Sequence, residues 1–270
     1  MNKKYTTSKK LLNKGTGFLK GYSHTLNPYV GCAFACSYCY VRQLPVQTFR
    51  EDSWGNWLDV KENAANILEK ELKREKAKGS VTIFMSSSTD PYQPIEYKEE
   101  ITRSLLKIMV NNPPDFLFIQ TRSSLVLRDI DLIKKLGNRV RVSMTIETDS
   151  EDIRKHFSPY APPIQGRLKA LRVLKENNIA TQATIAPLLP SSKDFPSILS
   201  KITDRVCIDD YFMGDGSGGK RTARLGIYRK YEELGMEKWY EKDTYLKLYR
   251  RFEKQFNSNQ LYISQSGFMP

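Results

Sequence analysis

Val140-Arg-Val-Ser-Met-Thr-Ile-Glu147 alternates strictly along an extended chain, with Val140, Val142, Met144 and Ile146 on one face and Arg141, Ser143, Thr145 and Glu147 on the other. One face is apolar and one is polar. Gln182 and Thr184 oppose Ala183 and Ile185 in the same way, and Arg205, Cys207 and Asp209 oppose Val206 and Ile208. Residues 81–85 and 116–119 read as further strands, and a shorter one precedes Cys32. Between the strands, amphipathic stretches predict helices over residues 58–78, 97–110, 128–136, 164–177 and 192–201. Such alternation builds a parallel sheet with right-handed crossovers. A doubly wound sheet would be apolar on both faces, because helices cover both. The polar face therefore predicts an α/β fold of the incomplete (β/α)6 TIM-like barrel kind, with helices outside and a substrate-filled interior.

The expected organisation is a basic N-terminal arm over residues 1–21, the partial barrel over 22–213, and a small helical C-terminal extension over 214–270 that begins with a flexible Gly-rich loop, Gly214 to Gly219. A length of 270 residues with 40% apolar and 27% charged residues suits an ordinary globular protein. No apolar run approaches a membrane span, and the basic start leads into no secretory h-region, so the expected location is cytoplasmic with no membrane partner. The net charge of +13 is concentrated early, since the first fifty residues hold eight Lys or Arg and no Asp or Glu. Either a polyanionic partner or a solvated basic surface accounts for that.

Asn27-Pro-Tyr-Val-Gly-Cys32-Ala-Phe-Ala-Cys36-Ser-Tyr-Cys39-Tyr40 carries the chemistry. Three thiolates in a C-x3-C-x2-C loop grip three irons of a [4Fe-4S] cube and leave the fourth iron open. Zinc prefers a closed set of four ligands, usually in paired halves. Here only His24, His156 and Cys207 remain as candidates for a fourth ligand, and none has finger-like spacing.

The segment resembles the radical S-adenosylmethionine (SAM) enzymes, and within them the spore photoproduct lyase family. The resemblance extends to Ser88-Thr-Asp-Pro-Tyr-Gln-Pro-Ile-Glu96, Thr121-Arg-Ser123 with Arg128-Asp129, Ser143-Met-Thr-Ile146 and Ala186-Pro-Leu-Leu-Pro190, in the family's order over roughly residues 22 to 210. It departs where the family often has Glu-Pro for Ser158-Pro159 and Lys for Arg122. The resemblance implies a cluster held by Cys32, Cys36 and Cys39, with SAM cleaved to a 5′-deoxyadenosyl radical by an electron from a donor such as flavodoxin or ferredoxin. It also implies nucleic acid, DNA ahead of RNA, as a partner. Two substrate readings stay open: a pyrimidine-photoproduct lyase, or modification of RNA, a peptide or a small molecule. A non-catalytic zinc or nucleic-acid-binding module is the alternative of a different class.

The implied cofactor residues are Thr89 and Asp90 at the methionyl end, Arg122 on the carboxylate, Ser143 on the ribose, and Glu147 and Ala186 nearby. Their plain structural alternatives are strand-end hydroxyls for Thr89 and Ser143, an Asp-Pro turn for Asp90, and a salt bridge to Arg141 or Arg122 for Glu147. Tyr38 and Tyr40 match tyrosines that relay a radical in the lyase, or else pack the cluster loop. The lyase's hydrogen-donating cysteine falls at Ser87 here, and an O–H bond is too strong to quench a carbon radical. Cys207, on the polar face, is the remaining thiol donor, against the plain reading of a small buried residue. In the C-terminal region, Arg221, Arg224, Tyr228, Arg229, Lys230, Trp239, Tyr240, Arg250 and Arg251 suit a nucleic acid. Tyr245, Leu248, Tyr249 and Phe252, at helical spacing, suit a core stripe.

Overall fold

The structure is a computed structural model describing residues 1–270. Its strands are β1 (Asn2–Thr6), β2 (Leu12–Lys14), β3 (His24–Leu26), β4 (Tyr29–Val30), β5 (Trp57–Lys61), β6 (Thr82–Met85), β7 (Phe116–Thr121), β8 (Val140–Thr145), β9 (Thr181–Ile185), β10 (Val206–Ile208) and β11 (Leu261–Ile263). The main sheet runs β11-β10-β9-β8-β7-β6-β3-β2. Every pair from β3 to β11 is parallel, and β2 adds antiparallel to β3. The sheet does not close, because β2 and β11 are its two ends. This is an α/β fold with an open parallel sheet, the partial-barrel class.

The alternation places side chains as the pleat requires. Val142, Met144, Ala183, Ile185, Val206 and Ile208 join Leu68, Leu72, Leu105, Leu171 and Leu174 of the covering helices in one core. The helices Ala64–Lys76 and Ile164–Glu176 form because apolar residues recur every three or four positions on the face turned to the sheet. The opposite face of the sheet carries Ser143, Gln182 and Thr184, all buried and mutually hydrogen-bonded.

Four expectations need correction. Residues 58–61 are the strand β5 rather than the start of a helix, because β1 and β4 claim its two edges; the helix begins only at Ala64. Residues 1–21 do not project as an arm: β1 pairs with β5, and the Leu11 and Leu12 amides donate to the buried Glu71 carboxylate. The C-terminal region is not purely helical, since β11 extends the parallel sheet by a strand. The Gly-rich loop is clamped, with the Asp215 carboxylate accepting from the Ser217, Gly219 and Arg221 amides.

The polar face is divided along its depth. At one level Tyr22, Phe84, Phe118, Cys207 and Phe268 form an aromatic plug, with Phe84 and Phe118 stacked at 5.1 Å. Phe268 comes from the C-terminal turn Ser264–Phe268. Above the plug the same strands open into a cavity.

Candidate active site

The cavity has a volume of about 580 Å³ and gathers residues from β3 across to the end of β10. Cys32, Cys36 and Cys39 all line it, together with Tyr38 and Tyr40. The loop that carries the thiols is held from beneath by the 88–96 segment. Gln93 Oε1 accepts the Ala33 amide at 2.9 Å, Thr89 Oγ1 donates to the Gly31 carbonyl at 2.5 Å, and Tyr29 donates to the buried Glu96. Glu96 in turn pairs with Arg128, and Arg128 with Asp129. The motif residues Glu96, Arg128 and Asp129 are therefore the frame, two buried carboxylates bridged by a half-buried arginine, that aims the cysteine loop. Gly31 sits at φ 91° with Trp57 packed against it, where a side chain would collide.

Burial pushes the Cys32 thiol well up and that of Cys39 up to about 12, with the neighbouring cysteines adding to it. Such thiols become thiolates only when a cation offsets the desolvation. No three His, Cys, Asp or Glu side chains converge on one point. A zinc ion needs that convergence, whereas an iron–sulfur cube takes one thiolate on each of three separate irons, from around a cavity wall. The wall also holds buried polar atoms without partners: Ser86 Oγ, Trp54 Nε1, Gln120 Oε1 and Asp210 Oδ2. Orphaned polar atoms around a cavity mark a ligand site, because each costs about 1–3 kcal/mol if left unpaired. The thiols and this lining fit a cluster with a polar ligand beside it.

Arg122 is the hinge of the site. Its Nη1 donates to Glu147 Oε1 at 2.5 Å, to the Tyr38 hydroxyl at 2.8 Å and to Cys36 Sγ at 3.1 Å. The other edge of the guanidinium is left to the cavity that Arg122 lines. Glu147 is buried between Arg122 and Arg167, whose Nη1 lies 2.6 Å from Oε2. Burial pushes its carboxyl up, but Arg167 and Arg122 prevail and hold it below the ordinary range. Of the structural partners expected for Glu147, Arg122 takes part and Arg141 does not; Arg141 reaches the Met269 carbonyl instead. Arg167 carries no signal in the sequence, where it looks like one more surface charge on an amphipathic helix. Asp90 lines the cavity and accepts from Thr121 Oγ1 and the Tyr92 and Arg122 amides, so it serves as both turn and anchor. Thr89 and Ala186 also line the cavity.

Three expected site residues do not line the cavity: Glu147 stands behind Arg122, and Ser143 and Cys207 lie deeper. Ser143 is fully buried, its hydroxyl 2.6 Å from Thr184 Oγ1, and the cavity wall is made by Thr145 and Thr184 instead. The pleat puts Ser143 on the right face but one layer too deep. Cys207 is likewise on that face and likewise too deep: it sits in the aromatic plug, with Sγ 3.5 Å from the Ser264 carbonyl and Gly267 packed on top. Ser87, by contrast, lines the cavity and accepts the Tyr40 hydroxyl on its carbonyl at 2.5 Å. A Cβ on Gly267 would strike the Cys207 sulfur. We therefore expect Gly267→Ala to lose about 1–3 kcal/mol by overpacking, and adding Cys207→Ala to restore part of it. Equal melting temperatures for Gly267→Ala and the parent chain would refute this packing.

In the C-terminal region, Leu248 and Phe252 are buried, and Tyr245, Tyr249 and Trp239 pack against the core. These rings are core rather than nucleic-acid surface, and Arg251 is tied to the Ser192 carbonyl. Arg224, Tyr228, Arg229, Lys238, Lys242, Lys247 and Arg250 are exposed, in the segment that follows the cavity-lining Arg221 and Thr222. No helix is long and apolar enough to cross a membrane.

Comparison with known proteins agrees with this geometry. A protein of Methanocaldococcus jannaschii with no assigned function is 36% identical over 183 residues, covering 68% of this chain and 67% of that one. A spore photoproduct lyase solved with a dinucleoside spore photoproduct superposes with a TM-score of 0.64 at 16% identity, covering 97% of this chain and 81% of that one. Streptococcus suis SuiB, solved with its precursor peptide SuiA, superposes with a TM-score of 0.53 at 15% identity, over 79% of this chain and 46% of that one. The family model of the radical SAM superfamily matches residues 26–200. With the cysteine loop, its framing segment and the strands β6 to β9 inside that match, the chain belongs to the radical SAM superfamily, whose enzymes work with a [4Fe-4S] cluster and SAM.

Proposed function

We propose that Cys32, Cys36 and Cys39 hold the cluster, that SAM lies beside it against Thr89, Asp90, Arg122 and Ala186, and that the substrate is a base of a nucleic acid, a DNA photoproduct in the lyase-like case. The observation that carries this reading is the single cavity that collects the three thiols, Arg122 and a set of buried, partnerless polar atoms. Cluster and SAM together supply a 5′-deoxyadenosyl radical once an electron arrives from a flavodoxin or ferredoxin. The protein's part is positional. Glu147 and Arg167 lock Arg122, so that its free edge presents two N–H donors in a fixed plane, suited to a carboxylate. Tyr38, donating to Glu147 at 2.5 Å, has its proton held within the site. Lys14 and Arg221 in the lining suit a phosphate backbone, and Phe18, Phe84 and Phe268 in the wall suit a stacked base.

The test is anaerobic reconstitution with iron and sulfide, followed by assay of 5′-deoxyadenosine with SAM and a reductant, with and without irradiated single-stranded DNA. The expected result is brown protein whose 5′-deoxyadenosine output rises with DNA, and DNA affinity that falls steeply with salt. Stoichiometric zinc without SAM cleavage would overturn the cluster assignment. Absence of DNA binding at low salt would overturn the substrate.

A further inference from the structure

Two short helices beyond the family match, Lys220–Arg224 and Ile227–Glu232, pack on the cysteine loop. The first touches the turn Tyr40–Gln43 that follows Cys39. Ile227 and Tyr231 join the apolar cluster that holds Cys36 and Tyr38, with Leu225, Cys32 and Cys39 packed against it. Residues 220–230 carry five cations, Lys220, Arg221, Arg224, Arg229 and Lys230, and no Asp or Glu. Arg221 and Lys230 are tied to the Asp215 and His156 carbonyls. Lys220, Arg224 and Arg229 are exposed, Arg229 meeting Glu233 only at 3.9 Å, and none of the three lines the cavity. Tyr228, between Arg224 and Arg229 in the chain, is 45% exposed. Its ring begins a packed series that leads inward, to Tyr240 at 5.6 Å, then Tyr211 at 5.4 Å, then Tyr38 at 6.3 Å between ring centres. Tyr38 shares Arg122 Nη1 with Cys36 Sγ.

With an apolar side against the cysteine loop and a cationic side in solvent, these helices place a single helix layer, about 10–12 Å across, between the thiols and the surface. Reduction of the cluster requires an electron from outside the protein. We infer that a small acidic one-electron carrier, of the flavodoxin or ferredoxin kind, docks on Arg224, Tyr228 and Arg229 and delivers its electron across that layer. One electron passes from carrier to cluster; the carrier is oxidised, the cluster is reduced, and no atom moves. This rests on the cluster reading above. A nucleic acid whose base enters the cavity meets the cations of the lining, Lys14 and Arg221, and the outer cations are left to a second partner. Cations around an exposed ring suit a partner that must bind, transfer and leave, because charges at the rim of an interface act mainly on the rate of encounter.

The experiment measures docking and electron delivery separately. Fluorescently labelled flavodoxin is titrated into the reconstituted protein at low salt, and 5′-deoxyadenosine formation is followed with reduced flavodoxin or with dithionite, which needs no docking surface. Arg224→Glu with Arg229→Glu should weaken flavodoxin binding about tenfold, by like-charge repulsion, and slow the flavodoxin-driven rate while the dithionite-driven rate is kept. Lys134→Glu with Lys135→Glu, the same change of charge on the helix Ile130–Leu136, should do neither. Parent-level flavodoxin binding in the Arg224/Arg229 variant overturns this inference alone. An equal loss in the Lys134/Lys135 control also overturns it, since net charge rather than a docking face would then be at work. Loss of oligonucleotide affinity with flavodoxin affinity intact gives the face to the nucleic acid and overturns it too. No dithionite-driven 5′-deoxyadenosine in the parent chain overturns the cluster reading itself, and this inference with it.

Discussion

Replacing Cys32, Cys36 or Cys39 by Ala, one at a time, should reduce 5′-deoxyadenosine formation to background and strip iron from the protein, while Cys207→Ala keeps its iron. The asymmetry follows from position. The first three thiols share one cavity, with Arg122 in contact with Cys36 Sγ at 3.1 Å, whereas Cys207 is sealed beneath Phe84, Phe118 and Phe268. A cube held by three thiolates has no spare protein ligand to replace a lost one. Iron and sulfide content, with the visible absorption of the four variants, is the check. Full iron in any of the three loop variants, or loss of iron in Cys207→Ala, would contradict the assignment.

Arg167→Met should be the most destabilising single change away from the cysteines. Arg167 is fully buried; its Nε donates to the Pro162 carbonyl at 2.9 Å and its Nη1 to Glu147 at 2.6 Å and to the Thr145 carbonyl at 3.2 Å. Methionine fills much of the volume and leaves Glu147 buried with half its counter-charge. Removing one partner of a buried pair costs about 3–5 kcal/mol, or roughly 6–20 °C in melting temperature for a chain of this size class. The loss should reach the site as well, because Glu147 then depends on Arg122 alone and Arg122 loses its fixed orientation. Thermal denaturation and SAM affinity measured together test both halves: a melting temperature within a degree or two of the parent refutes the first, and unchanged SAM affinity in a folded variant refutes the second.

The cluster chemistry is local, and for that reason it is legible in the amino-acid sequence. Cys32, Cys36 and Cys39 lie within eight residues, and a chain that short has few ways to present them. The pleat is local too: a period of two puts Ser143, Gln182, Thr184 and Cys207 on one face of the sheet, and they are there. Helix periodicity fails at residues 58–61, where the competing signal is the edges of β1 and β4, two separate segments of chain.

What the chain alone determined, then, was the cluster loop, the parallel β/α alternation and the polar face of the sheet, because each is set by residues within a turn or a pleat of one another. Depth along that face was decided only by tertiary structure. Phe268, from the far end of the chain, packs with Cys207 in the aromatic plug, and Thr145 rather than Ser143 lines the cavity; no strand pattern records what will be stacked on it. The partners of buried charges were decided the same way. Arg167 on its helix and Asp210 after its strand have the sequence appearance of ordinary solvated residues. Whether such a charge finds a counter-charge, as Arg167 finds Glu147, or an empty acceptor position, as at Asp210 Oδ2, depends on segments dozens of residues away being folded against it.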